Sequence, residues 1–225
     1  AVLDYAVHLL RSRKVAEREL KNLSPGGLNV IYGYLEGLNA YARKYPEEVL
    51  VKNSFPLSIY DYLTGLNLML HLFSDTGDVI AQLFNNNVEP LDEMSGVDNI
   101  GSTIGSNGFA FKSSKTRDGK TYLNVNTHQP LEGPFSWYEA HVNSEEGWNM
   151  LGGLFPGLPL PVIGTNENLG WTHTYNYPDM NDIYQLVVNP KDKSEYMLDG
   201  KWKKFEVEKV RLRVKVFLGI NLNVR

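Results

Sequence analysis

The chain has 225 residues, of which 42% are hydrophobic and 21% charged, a composition that is ordinary for a globular protein and argues against disorder. The formal net charge of −4, without any basic block, argues against nucleic acid as a partner. Because the sequence has no cysteine, disulfides, thiolate zinc sites and a cysteine nucleophile are excluded. No apolar run approaches the length of a membrane span, and no signal peptide is visible at the first residues.

Residues 1–85 have the apolar spacing that is typical of helices. The pair Ser24-Pro25 is a typical helix start, with a capping serine before a first-turn proline. The apolar stripe that follows ends at Tyr45-Pro46, since a residue before proline disfavours the helical conformation. A third helix is predicted from about Leu57 to Phe73.

Residues 106–225 predict short strands, because runs of β-branched and aromatic residues alternate there with Gly, Pro and Asn or Asp turns. The short turns favour antiparallel pairing. Residues 86–105 are polar and turn-rich, so they are interpreted as a spacer or linker. The predicted fold class is α+β, with a helical part at 1–85 and a β-rich part that Ser106 opens.

Gly105-Ser106-Asn107 lies at the junction between the linker and the first predicted strand. A serine in a Gly-Ser loop is usually only a turn residue. As a nucleophile it would need a base, and the chain has no Gly-x-Ser-x-Gly elbow and no evident Ser/His/Asp order. If the chain were cut before Ser106, the freed α-amine, with a pKa of about 7.7–8, would supply that base.

The histidines do not indicate a zinc site, since neither His-x-His nor His-Glu-x-x-His spacing occurs. Those on predicted helices are interpreted as structural, and one of those in or beside predicted strands could line a pocket. The first group is His8 and His71, and the second is His128, His141 and His173.

A series of motifs accompanies Ser106 in a fixed order. They are Gly105-Ser106-Asn107, Asp118-Gly119-Lys120, Asn126-Thr127-His128-Gln129, residues 137–141, Pro156-Gly157-Leu158-Pro159, residues 164–174, residues 179–184 and residues 197–202. Their order and spacing resemble the penicillin acylase (penicillin amidase) family of N-terminal-nucleophile hydrolases. The resemblance covers most of the chain.

The resemblance implies a four-layer αββα sandwich of antiparallel sheets, incomplete in this chain. Residues 1–85 would be part of the small subunit, 86–105 an excised spacer or a plain loop, and 106–225 the start of the large subunit. It also implies export to the periplasm or the medium. We expect the 225-residue piece to be inactive by itself, because the family's second oxyanion donor lies beyond residue 225.

The resemblance implies a role for individual residues. Ser106 would be the nucleophile, its freed amine the base, and the Tyr175 backbone N–H one oxyanion donor. The Gln129 backbone carbonyl would hold the substrate amide and the serine amine. The substrate-binding positions implied in this way are Met69, Phe73, His128, Ile163, His173 and Tyr177.

The resemblance also implies a calcium site formed by the carboxylates of Asp179 and Asp182 with the backbone carbonyl of Asn181. Such oxygen ligands suit Ca²⁺. The alternative is a solvated turn, and the sequence does not decide between them. No organic cofactor is expected.

The resemblance implies a penicillin amidase-like acylase that hydrolyses a linear amide, of a penicillin-type or related small N-acyl compound, through an acyl-enzyme on the self-processed amino-terminal serine. His173 stands where some penicillin-cleaving members have serine, and Pro130 where they have an aromatic residue. The acyl pocket is therefore predicted to differ in shape and to be more polar, which argues against penicillin G as the substrate. Two alternatives remain. One is an acyl-homoserine lactone acylase with the same mechanism, and the other is an unprocessed, non-catalytic binding domain of the same fold.

Overall fold

The computed structural model describes residues 2–51, 53–72, 76, 80, 105–175, 184–215 and 221–224. The described residues fall into two compact units, one formed from the ranges 1–25, 37–88 and 178–225, the other from 26–36 and 89–177. Helices precede residue 105 and antiparallel strands follow it, which confirms the α+β class. None of the described helices is long and apolar enough to cross a membrane.

Among the described residues, four α-helices lie in the predicted helical part. They are α1 (Val2–Leu9), α2 (Ser12–Glu19), α3 (Pro25–Lys44) and α4 (Ile59–Leu72), with short 3₁₀ turns at Leu20–Asn22 and Pro46–Glu48. The first residue of α3 is Pro25 and its end precedes Tyr45, as the sequence predicts. A left-handed Arg11, at φ 54° and ψ 29°, separates α1 from α2.

Helix α4 begins with a reciprocal cap. The Ser58 hydroxyl oxygen accepts the Asp61 N–H at 3.2 Å, and an Asp61 carboxylate oxygen accepts the Ser58 N–H at 2.9 Å. These bonds satisfy backbone donors that have no partner inside the helix. Arg13 of α2 reaches the other carboxylate oxygen of Asp61 at 3.2 Å. The cap thus also ties α4 to α2.

In the described ranges, ten strands follow residue 105. They are β1 (Ser106–Phe111), β2 (Tyr122–Thr127), β3 (Tyr138–Asn143), β4 (Asn149–Leu154), β5 (Ile163–Thr165), β6 (Gly170–Trp171), β7 (Glu195–Leu198), β8 (Lys201–Lys204), β9 (Leu212–Lys215) and β10 (Asn221–Val224). The described ladders are antiparallel and join β1 to β2, β3 through β6 in sequence order, β7 to β8, and β9 to β10.

The predicted Asp-Gly turns close two of these hairpins. Asp199 and Gly200 lie at φ 52° and 72° between β7 and β8, as a two-residue type I′ turn requires. Gly119, at φ 70°, lies in the connection between β1 and β2. Both turns are local features, which is why the sequence indicates them.

The β4–β5 ladder depends on two glycines. A Cβ at Gly152 would lie 2.0 Å from the Ile163 carbonyl oxygen, and one at Gly164 would lie 2.3 Å from the Leu151 carbonyl oxygen. Only glycine fits so close a backbone approach. The four-layer packing and the assignment of 1–85, 86–105 and 106–225 to subunits and spacer stay predictions.

Candidate active site

Ser106 is the first residue of β1 and is half-buried. Its partner across the ladder is Thr127 of β2, and Gly108 pairs with Val125. Because successive side chains point to opposite faces of a strand, these four residues share one face of the hairpin. That face, which carries Ser106, is called the inner face.

The Gly105 carbonyl oxygen accepts two hydrogen bonds. The backbone N–H of His128 donates to it at 3.0 Å, and the Ser106 hydroxyl donates to the same oxygen over a short distance. The candidate nucleophile therefore lies against the peptide group that a cut before Ser106 would break.

Position 105 leaves little room for a side chain. A Cβ there would lie 3.3 Å from Nδ1 of His128, closer than ordinary van der Waals contact. Glycine at this position lets the chain pass under the imidazole ring.

The imidazole of His128 lies on the outer face, opposite Ser106, and two amides hold it. Nδ2 of Asn107 lies 3.2 Å from Nε2, and Nδ2 of Asn126 lies 3.4 Å from the same nitrogen. Because an amide nitrogen can only donate, Nε2 accepts from both side chains in this arrangement. Asn107 and Asn126 are themselves ladder partners.

The inner face packs on the sheet formed by β3 to β6. The indole Nε1–H of Trp137 donates to the Thr127 hydroxyl at 2.5 Å. A Cβ at Gly108 would lie 2.6 Å from Cγ2 of Thr172, so the two segments are in close contact. These contacts fix the strand that carries Ser106.

A cavity of about 440 Å³ opens beside the inner face. Its lining residues are Val125, Trp137, Glu139, Gly152, Gly153, Ile163 and Gly164. Val125 is two residues from the partner of Ser106, and the predicted acyl-pocket residue Ile163 is 9% exposed. The lining is mostly apolar, and the Glu139 carboxylate is its charged group.

The turn between β1 and β2 is closed by Asp118. Its carboxylate accepts the Tyr122 hydroxyl at 2.5 Å and the Lys120 N–H at 3.2 Å. The Tyr122 hydroxyl and this backbone donor lower the pKa of the Asp118 carboxyl, and the same bond raises the pKa of Tyr122. The ionised carboxylate therefore supports the hairpin that presents Ser106.

The sequence model of the penicillin amidase family matches residues 2–221 of this chain. The chain belongs to the penicillin amidase family.

Several acylases are similar to parts of this penicillin amidase family member. The acyl-homoserine lactone acylase PvdQ of Pseudomonas fluorescens is 37% identical over 97 residues, which are 43% of this chain and 12% of that protein. The acyl-homoserine lactone acylase QuiP of Pseudomonas aeruginosa is 22% identical over 249 residues, covering 89% and 29%. Aculeacin-A acylase of Actinoplanes utahensis is 27% identical over 105 residues, covering 47% and 13%. The matched segments thus span less than a third of each relative.

The other predicted site residues of this family member are placed as follows. Gln129 and Tyr175 are half-buried, and His173 is exposed. Met69 is half-buried on α4, which does not belong to the compact unit that contains Ser106. Phe73, Tyr177, Asp179, Asn181 and Asp182 lie outside the described residues.

Within the described ranges, no group of three or more His, Asp or Glu side chains could hold a metal ion. The three predicted calcium ligands lie outside those ranges, so calcium binding stays a prediction.

Two features of the site were missed by sequence reasoning. One is the contact of Trp137 with Thr127, and the other is the cluster of Asn107, Asn126 and His128. The sequence signal for the cluster is that polar residues recur at alternate positions along β2 and just beyond it, at Asn124, Asn126 and His128. The pairing register that brings those positions together cannot be deduced from the sequence of either strand alone.

Proposed function

We propose that the full-length protein containing this chain is an N-acyl amide hydrolase with Ser106 as nucleophile, freed by cleavage of the Gly105–Ser106 bond. The observation that carries this proposal is the contact between the Ser106 hydroxyl and the Gly105 carbonyl oxygen. The hydroxyl thus lies beside the carbonyl group whose carbon it would attack. Family membership supports the same chemistry.

Cleavage begins when Oγ of Ser106 attacks the Gly105 carbonyl carbon and a tetrahedral oxyanion forms. The carbon–nitrogen bond then breaks, and the proton lost by the hydroxyl is transferred to the departing Ser106 nitrogen. The product is an ester between Gly105 and Oγ. Water hydrolyses this ester, which leaves a carboxylate on Gly105 and a free hydroxyl and amine on Ser106.

Amide hydrolysis uses the same hydroxyl. The free α-amine of Ser106 takes the Oγ proton, because its pKa of about 7.7–8 lies near neutral pH. Oγ attacks the substrate carbonyl, the Tyr175 N–H stabilises the oxyanion, and the Gln129 carbonyl orients the amine. The Ser106 ammonium gives this proton to the leaving amine as the carbon–nitrogen bond breaks, and water then releases the acid from the acyl-enzyme.

The cavity beside the inner face is the proposed acyl site. Its apolar lining, with Ile163 and Trp137, suits a hydrocarbon acyl chain, and burial of such a chain is favourable by about 0.8 kcal/mol per CH₂. Two of the relatives described above are named acyl-homoserine lactone acylases, which makes these lactones the first substrates to test. Penicillins and other N-acyl amides complete the panel.

Family membership supports three further parts of this proposal. They are the four-layer αββα sandwich, export to the periplasm or the medium, and calcium bound by Asp179, Asn181 and Asp182.

The test is the intact mass of the full-length protein together with hydrolysis of the substrate panel. We expect the wild type to be cut between Gly105 and Ser106 and to release acid from at least one N-acyl compound. Ser106→Ala should remain one chain and be inactive. Ser113→Ala, which changes an exposed serine in the turn after β1, is the matched control and should behave as wild type.

Two results would overturn the proposal. A Ser106→Ala protein that is still cut and active would exclude Ser106 as the nucleophile. A wild-type protein that stays whole and hydrolyses nothing would favour the non-catalytic binding domain.

A further inference from the structure

The His128 N–H continues the β1–β2 ladder by one residue beyond the strand ends. Strand β2 ends at Thr127, and the next N–H donates to the Gly105 carbonyl oxygen at 3.0 Å. This is the oxygen on which negative charge develops when the Ser106 hydroxyl attacks. A donor already placed there costs no rearrangement during the reaction.

We infer that the His128 backbone N–H is the oxyanion donor for cleavage of the Gly105–Ser106 bond, and that Asn107 and Asn126 position His128 for this task. The inference rests on the proposed self-cleavage and adds to it the group that stabilises its first intermediate. Asn107, Asn126 and His128 are called the outer-face clamp.

Within the outer-face clamp, Asn107 and Asn126 hold His128 from both strands. Asn107 is the residue next to the nucleophile, and Asn126 is its ladder partner on β2. Both amides donate to Nε2, at 3.2 and 3.4 Å, so the ring is held across the end of the hairpin.

The ring also lies against Gly105, the residue before the bond to be cut. Nδ1 lies 3.3 Å from the position that a Cβ at residue 105 would take. Gly105 therefore lies against the ring, while its carbonyl oxygen accepts from the N–H of the same histidine. One residue thus limits the movement of the scissile peptide and supplies a donor to it.

The side chains of the outer-face clamp point away from the nucleophile. Alternation along the strands places Asn107 and Asn126 on the face opposite Ser106. The imidazole consequently acts as a positioning group, and the backbone N–H is the part of His128 that acts on the reaction.

The direct test is His128→Pro in the full-length protein, because proline lacks the N–H. Thr127 already lies in a strand, the conformation that a residue before proline prefers, so the backbone accommodates the change. Proline removes the imidazole and its contacts with Asn107 and Asn126 together with the N–H, so His128→Ala, which loses the ring and keeps the N–H, gives the reference rate. Pulse-labelled cell-free synthesis gives the rate at which the chain with amino-terminal Ser106 appears. We expect this rate to fall by about 100-fold, the lower end of the effect of removing one oxyanion donor.

Hydroxylamine separates the steps, since it cleaves the ester as soon as the ester forms. In His128→Pro it should not restore the rate, because attack on the Gly105 carbonyl is the slowed step. Full recovery with hydroxylamine would mean that attack is unimpaired, and this would overturn the inference.

The positioning role is tested by Asn126→Ala, with Asn124→Ala as the matched control on the same face of β2. Asn124 is exposed, lies two residues earlier and pairs with Phe109. We expect cleavage to slow by about 3- to 10-fold in Asn126→Ala and to be unchanged in Asn124→Ala, by analogy with the loss of one hydrogen bond. Both substitutions in an uncleavable Ser106→Ala background should leave the melting temperature unchanged, whereas a merely structural role would lower it for Asn126→Ala.

Failure of this inference can be told apart from failure of the proposed function. If Ser106→Ala blocks cleavage while His128→Pro and Asn126→Ala are cut at the wild-type rate, the outer-face clamp has no role and the nucleophile stands. If Ser106→Ala is itself cut, both proposals fall.

Discussion

The indole Nε1–H of Trp137 donates to the hydroxyl of Thr127 at 2.5 Å. Thr127 is the ladder partner of Ser106, so this bond connects the nucleophile strand pair to the sheet formed by β3 to β6. Trp137 in turn stacks on Phe155, with ring centroids 4.4 Å apart and planes 20° apart. The same indole lines the proposed acyl cavity. The Trp137 indole therefore both forms part of the cavity wall and holds the strand pair that carries Ser106.

Trp137→Phe should destabilise the protein, because it keeps an aromatic ring and removes the donor to Thr127. Loss of one half-buried hydrogen bond costs about 0.5–1.5 kcal/mol. The free energy of unfolding, measured by urea titration in the uncleavable Ser106→Ala background, should fall by about 1 kcal/mol. Thr127→Val should show coupling of similar size with Trp137→Phe in a double-mutant cycle.

Trp148→Phe is the matched control for this prediction. The Trp148 side chain is 42% exposed, so its replacement should change the free energy of unfolding by less than about 0.5 kcal/mol. Strictly additive effects of the Trp137 and Thr127 changes would show that the bond contributes nothing.

Gly108→Ala should destabilise the contact between β1 and the segment after β6. The new methyl group would lie 2.6 Å from Cγ2 of Thr172, a distance at which one of the two groups must move. Overpacking of this kind costs about 1–3 kcal/mol, which exceeds the gain of about 0.4–1 kcal/mol from a stiffer unfolded chain. Thr172→Ser removes Cγ2, so the double variant should recover most of the loss in the same urea titration.

Gly33→Ala gives the opposite sign and serves as the control. In helix α3 a Cβ at Gly33 would have no atom within 4 Å, so the variant should be more stable by about 0.5–1 kcal/mol. If Gly108→Ala is as stable as wild type, or if Thr172→Ser fails to rescue it, the predicted clash does not exist.

Local signals explain which parts of the fold could be predicted. The start of α3 at Pro25 follows from capping chemistry, and the hairpin at Asp199-Gly200 follows from the positive φ angles that its turn needs. The break between α1 and α2 was not predicted. It occurs at Arg11, a residue type with no preference for the left-handed conformation that it adopts there.

Long-range pairing explains what could not be predicted in the site. The motifs around Ser106 and the family resemblance indicate this residue as the nucleophile. Its partner Thr127 lies 21 residues away, and a shift of one residue in the register would exchange the two faces of the hairpin. The donor to the Gly105 carbonyl and the outer-face clamp both depend on that register. No property of His128 as an isolated residue indicates that its backbone meets Gly105.

Asp61→Asn should weaken helix α4 in a pH-dependent manner. The Ser58 hydroxyl and backbone N–H, and then the Arg13 guanidinium, lower the pKa of the Asp61 carboxyl below its ordinary value of 3.8. A carboxyl whose pKa is lowered by folding stabilises the folded state above its unfolded pKa, and this contribution is lost as the pH falls through the folded pKa. Asp61 is largely exposed, so we expect a loss of about 1 kcal/mol at pH 7, typical of a helix cap.

Urea titrations of wild type and variant at pH 7 and at pH 3 measure the difference in the free energy of unfolding, which should shrink at the lower pH. Ser58→Ala should cost less in the Asp61→Asn background than in the wild type, since the Ser58 hydroxyl also donates to the Asp61 carboxylate. An equal difference at both pH values would show that the charge of Asp61 does not contribute.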